Sequence, residues 1–152
     1  MKKYLILIIV GVGLAYLFFS PEDDPREIEA VFVKAIEAGE KKDLDGVMEH
    51  FSINYRDEEG ATYPVIRNVI KGFFDKFEGF RGEFWGLKVS INETEEGEKR
   101  AIANLDVSVS GISSGIPVSI LGSEDSPQNL TVTLKKSGLG SWKIIKAEGV
   151  EQ

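Results

Sequence analysis

VIRNVIKGFFDKFEGFRGEFWGLKVSIN, residues 65–92, changes its hydrophobic period partway along. Val65, Ile66, Val69, Ile70, Phe73, Phe74 and Phe77 recur at three- and four-residue spacing, the apolar stripe of an amphipathic helix. After Gly82 the repeat becomes two. Trp85, Leu87, Val89 and Ile91 alternate with Gly86, Lys88, Ser90 and Asn92, the pattern of a half-buried strand. A single switch from helical to strand period predicts helices and sheet in separate blocks, hence an α+β domain. The phenylalanine stripe is expected to pack into the core rather than to line a cofactor box.

Upstream, DPREIEAVFVKAIEAG carries a strong helix start: Asp24 can cap, Pro25 suits the first helical position, and Glu27 completes a capping box. Ile28, Val31, Phe32, Ala35 and Ile36 then repeat at helical spacing, and Gly39 stops the run. A second, shorter helix starts at Asp43 or Asp45, with Leu44, Val47, Met48 and Phe51 on one face; the third begins near Thr62 and Pro64. Downstream, TEEGE makes a turn, and Ala101, Ala103, Leu105, Val107 and Val109 continue as the partner strand. GISSGIPVSILGSEDSPQN reads as a long connection with a short apolar excursion around Ile116 to Leu121. Leu130, Val132 and Leu134 mark a third strand, SGLGS a tight turn, and WKIIKAEGV the last strand. The expected architecture is three N-terminal helices packed on one face of a curved antiparallel sheet, with no internal repeat.

The N-terminus bears on location. Two lysines, Lys2 and Lys3, precede an uncharged run over residues 4–19, and Glu22, Asp23 and Asp24 follow it. At about 1.5 Å per residue that run spans roughly 24 Å, short of the roughly 30 Å hydrocarbon core. Three readings fit: an uncleaved signal anchor, a cleaved signal peptide and a buried core helix. Gly13 and Ala15 supply small residues for cleavage, but cutting there leaves an apolar YLFF at the new terminus. The reading carried forward is the anchor. It makes residues 1–3 a cytoplasmic tail, residues 4–20 a single transmembrane helix and residues 24–150 an extracytoplasmic, periplasmic domain of a cell-membrane protein.

Composition removes several chemistries. The chain of 152 residues holds 25 Asp+Glu against 18 Lys+Arg, a formal net charge of −7. An acidic surface without a basic, aromatic-interleaved run argues against nucleic acid as a partner. With no cysteine there is no thiol nucleophile, disulfide or thiolate metal site, and one histidine, His50, removes imidazole-rich sites. No metal and no cofactor are expected.

Two segments carry a family likeness. KKDLDGVMEHFSINYRDEEG and GSWKIIKAE resemble the second helix, short polar strand and turn, and the closing strand, of the nuclear transport factor 2-like superfamily. That superfamily shares its cone-shaped fold with ketosteroid isomerase and the polyketide cyclases, and the likeness runs from about Asp24 to Val150. It implies a cavity between helices and concave sheet. It also implies a scaffold that serves enzymes, binding proteins and assembly subunits alike, often paired through the open sheet face. Steroid isomerisation there uses a carboxylate base with a tyrosine and a protonated aspartic acid. Here the first helix offers Phe32 and Ile36 and no tyrosine.

Candidate catalytic residues are therefore few: Tyr55, Asp57, His50 and Asp106, with Tyr55 and Trp142 as candidate ligand contacts. Each has an ordinary structural reading. In an extended FSINYRDEEG, Tyr55 and Asp57 share a face, so Asp57 is either a base oriented by Tyr55 or the cap of the turn into Gly60. His50 ends a helix, where the dipole favours a cation. Asp106, with Asn104, faces outward if the alanine, leucine and valine face of its strand meets the helices. The functional expectation is a non-enzymatic, membrane-anchored module that binds an envelope protein or assembles with itself. The alternative is a small apolar-ligand binder, or an isomerase, dehydratase or hydrolase working in the cone.

Overall fold

The computed structural model describes residues 24–136 and 140–150, so the N-terminal run expected to anchor the chain lies outside the described residues. Among the described residues no helix is long and apolar enough to cross a membrane. Helix α1 spans Asp24–Glu40, α2 Leu44–Met48 and α3 Tyr63–Lys76. The strands are β1 Gly79–Glu93, β2 Lys99–Ser113, β3 Ile116–Leu121, β4 Gln128–Lys136 and β5 Lys143–Val150. They form one antiparallel sheet in the order β1-β2-β4-β5, with β3 also paired to β2. The helices cover one face of it, the arrangement that a single change of period predicts.

Ile28, Val31 and Phe32 of α1 share one buried cluster with Ala101, Ala103, Leu105 and Val107 of β2, Val132 and Leu134 of β4, and Ile144 of β5. Alternation along β2 puts these residues on the concave face and Asn104 and Asp106 on the convex one. Strands β1 and β2 each run 15 residues, about 50 Å if straight. They bend at a bulge between Trp85 and Lys88, where Gly86 takes φ +64°. The bulge also corrects the sequence reading. Trp85 pairs with Asp106 on the convex face, whereas Leu87, Val89 and Ile91 pack on the core, so the expected four-residue apolar face is interrupted after its first member.

Three further differences have local causes. The segment read as a long connection holds strand β3. Ser114 and Gly115, with φ 51° and 75°, make a two-residue hairpin loop whose twist suits the paired strands. Strand β1 begins at Gly79, earlier than the alternation after Gly82 suggests. The carboxylates of Asp24 and Glu27, expected to cap α1, reach across the layer to the sheet: Asp24 to Lys99 (2.9 Å) and Lys136 (3.3 Å), Glu27 to Lys136 (2.9 Å). Asp43, by contrast, does cap α2, its side chain accepting from Gly46 N.

Helix α3 departs furthest from expectation. Its phenylalanine stripe is core only in part. Phe77, just past the helix, is buried at 6% exposure, and Ile66 packs against the core cluster. No residue within the helix is buried, and Val65 and Val69 are exposed at 45% and 49%. It is held at its ends. Arg67 pairs with Asp45 at 2.7 Å, and Lys42 Nζ donates to the Phe77 carbonyl oxygen at 2.8 Å. The Phe77 ring fills a notch left by Gly111, where a Cβ would lie 2.4 Å from it.

Candidate functional site

Between α1, α3 and the concave sheet lies a cavity of about 360 Å³. Its base is made by buried Phe32, Val47, Leu105, Val107, Val132 and Ile144, and its walls by half-buried Ile36, Ile70, Phe73, Phe74, Phe80 and Phe84. Aromatic rings brace those walls: Phe74 lies 5.1 Å from Phe80 and Phe32 5.8 Å from Phe84, both tilted. Among the described residues Glu40 and Glu83 are its only ionisable lining residues. Glu40 is exposed and the cavity meets solvent beside it, whereas Glu83 alternates with Gly82 and Phe84 and points to the convex face with Trp85. Glu40 Oε1 accepts from the Gly82 amide at 3.3 Å, which fixes one carboxylate at the opening.

Small residues create the space. Ala35 and Gly39 stand one turn apart on α1, and Gly82 faces them from β1. A Cβ on Gly82 would lie 3.1 Å from Ile36, while a Cβ on Gly39 would meet nothing within 4 Å. The sequence does contain this signal, small residues opposite a phenylalanine stripe, although the stripe alone reads as core.

None of the five candidate residues lines this cavity. Tyr55 is buried at 3% exposure in the core cluster, its hydroxyl donating to Asp57 Oδ2 at 3.4 Å. Burial, with the Asp57 carboxylate beside it, pushes the Tyr55 hydroxyl up to about 12. Asp57 in turn accepts from Ala61 N at 2.8 Å, and its backbone closes the turn through Gly60. The preceding backbone extends the sheet edge, with Ser52 N donating to Ile144 O (2.8 Å) and Arg56 N to Ile145 O (3.1 Å). The geometry is that of a side-chain-closed turn anchored on β5.

Asp106 lies on the convex face, accepting from Asn129 Nδ2 at 3.0 Å beside the equivalent Thr131–Asn104 bond of 2.8 Å. His50 and Trp142 meet in a different place. They border an outer cleft of about 520 Å³ with Lys34, Lys136 and Lys143, which shares no lining residue with the cone cavity. Burial lowers the His50 pKa, and Lys143 and Lys34 lower it further against the pull of Glu49. The Trp142 indole donates to Asp24 Oδ1 at 3.3 Å, and the Lys136 ammonium stands 6.0 Å from its ring centre. Burial opposes the charge on Asp24, yet hydrogen bonds from Lys99, Lys136 and Trp142 hold its pKa below the ordinary carboxylate value. Trp142 thus serves an ion cluster at the narrow end of the cone. Among the described residues no three His, Asp or Glu side chains converge as a metal site would need.

No protein-family model matches the chain, and no curated protein matches it in sequence. Solved structures do share its fold. Bd1075 of Bdellovibrio bacteriovorus matches with a TM-score of 0.63 at 12% identity, covering 84% of this chain, which spans only 41% of Bd1075. A Novosphingobium aromaticivorans protein assigned as a scytalone dehydratase matches with a TM-score of 0.62 at 16% identity, over 83% of each chain. A nuclear transport factor 2-like protein with a cystatin-like fold, from the same organism, gives 0.61 at 15% identity, covering 92% of this chain and 86% of its own. At such identities the likeness shows the fold alone. The domain has the nuclear transport factor 2-like fold, helices on an antiparallel sheet, that its sequence resembles.

Proposed function

We propose that this chain is a non-enzymatic binding module that takes an apolar group into its cone. In this reading residues 4–20 tether it to the cell membrane, with the domain on the extracytoplasmic side. The observation that carries the reading is the lining: among the described residues it is hydrocarbon, apart from Glu40 at the opening and Glu83, whose side chain turns to the convex face. General acid–base catalysis needs a titratable group within hydrogen-bond reach of the reacting proton. Tyr55, Asp57, His50 and Asp106 all lie elsewhere, in a turn, an outer cleft and the convex face. Burying hydrocarbon, at about 25 cal/mol per Å², needs none of them.

The test uses the full chain in its native membranes and a dodecanol carrying a photoactivatable diazirine in its tail. Label concentrated on peptides holding Phe73, Phe74 and Phe80, and lost when Gly39→Leu occupies the opening, supports the reading. Label spread evenly over the domain overturns it. Protease shaving of spheroplasts tests the location: digestion from outside is expected, and protection would exclude an extracytoplasmic domain.

A second reading makes the domain a subunit that assembles with itself or with an envelope protein through the convex sheet face. Trp85 and Ile102, exposed there at 37% and 44%, favour it. Light scattering of the purified full chain, with and without Trp85→Lys, tests self-assembly; a monomer unchanged by the substitution excludes it.

A further inference from the structure

We infer that the group held in the cone belongs to a cationic amphiphile, a single apolar body of about a dozen carbon atoms with a positively charged head at Glu40. This rests on the apolar-binding reading above and adds the head group. Two observations carry it. The first is size. At roughly 30 Å³ for each water-sized group, about 360 Å³ accommodates on the order of a dozen such groups. That matches one medium chain or a compact ring system rather than a two-chain lipid.

The second is the charge at the opening. Among the described residues, base and walls contain no polar side chain, so the head of an amphiphile must remain where the cavity meets solvent. Among the described residues the ionisable group there is Glu40, fixed by the Gly82 amide; Glu83, next in sequence on β1, shares the strand face of Trp85 and turns its carboxylate away. Among the described residues no Lys, Arg or His lines the cavity, and Lys42, two residues beyond Glu40, is turned to the Phe77 carbonyl oxygen. A carboxylate head would thus meet the like charge of Glu40, while an ammonium would meet an opposite one. The formal net charge of −7 adds a weaker bias of the same sign.

Three diazirine-tailed probes of equal chain length decide it, an alkylamine, an alcohol and a carboxylic acid, each applied to native membranes containing the full chain. Cone label is taken as the excess over Gly39→Leu protein in the same membranes, which removes differences in membrane partitioning. The amine is expected to exceed the acid about tenfold, with the alcohol between them. Glu40→Gln keeps an acceptor for the Gly82 amide and removes the charge, and is expected to shrink that ratio about threefold without loss of alcohol label. Acid label equal to or above amine label overturns the head-group assignment and leaves apolar binding standing. A tenfold preference untouched by Glu40→Gln also overturns it. If no probe labels the cone above the Gly39→Leu background, the apolar-binding reading itself fails.

Discussion

The two ends of the cone are built from similar apolar residues and closed by different means. At the narrow end, Ile28, Ala101 and Leu134 have no exposed surface, and Trp142 and Lys136 are exposed at 2% and 5%. There Lys99 and Lys136 stand directly opposite on neighbouring strands, a like-charge pair that is unfavourable alone. The Asp24 carboxylate bonds both, and Glu27 bonds Lys136 again. At the wide end, α3 buries none of its own residues, and the rings of Phe73, Phe74 and Phe80 line space instead of filling it. At one end large buried side chains and an ion cluster fill the interior, whereas a glycine and an underpacked helix leave a cavity at the other. Empty apolar volume forfeits dispersion contacts and lowers stability. The wide end is therefore the part of this domain that a ligand would stabilise.

Substitutions can break or sharpen that contrast. The largest effect is expected at the narrow end: Asp24→Ala leaves two facing lysines, one of them buried, and should cost about 3 kcal/mol in denaturant unfolding. Adding Lys99→Met should recover part of the loss; an Asp24→Ala protein as stable as the parent would show that the ion cluster closes nothing. Next is the seat of Phe77. Gly111→Val drives a side chain into that ring and should cost about 2 kcal/mol, with α3 amides losing hydrogen-exchange protection before those of β4. Simultaneous loss in both elements would mean that the two ends unfold as one unit.

Gly39→Leu works in the opposite direction. A helical glycine facing open space is replaced by a better helix former, so stability should rise by about 0.5–1 kcal/mol even though the cavity is blocked. A destabilised Gly39→Leu would place that side chain against packed atoms and shrink the space assigned to the wide end.

The smallest effect is the pH response. The folded His50 pKa lies below its ordinary 6.5, so neutral His50 contributes stability that is complete above 6.5 and is lost as pH falls through the folded value. Asp24, also depressed, acts in the same sense from its ordinary 3.8 downward. Thermal melts should therefore decline in two steps on acidification, and His50→Gln should remove only the upper one. A parent melting temperature that rises below pH 6.5 would contradict the assigned sign.

Much of the architecture was legible because it is written in local periodicity. α1 ends at Glu40, beside the expected stop at Gly39, Asp43 caps α2, and α3 follows Thr62, each with the apolar spacing its sequence shows. Strands β2, β4 and β5 lie where alternation places them. Strand β3 was hidden by its brevity and by a Ser-Gly loop that carries a weaker turn signal than Asn-Gly. At the site, the polar residues that stand out in sequence, Tyr55, Asp57, His50 and Trp142, are held by turns and ion pairs. The cavity is defined by Gly39, Gly82 and Ala35, whose small size attracts no chemical reading.

By itself the sequence determined the order of helices and strands, the acidic charge, the absence of thiol chemistry and the likeness to a cone-shaped fold. These follow from period, composition and short-range capping, properties that neighbouring residues carry. Tertiary structure alone decided that Trp85 turns to the convex face, that Asp24 meets lysines 75 and 112 residues away, and that the phenylalanine stripe encloses about 360 Å³ rather than filling it. The physical reason is that a bulge, an ion pair and a void each depend on where a distant strand lies. An amphipathic stripe specifies which way a helix faces, but not how closely the facing surface approaches.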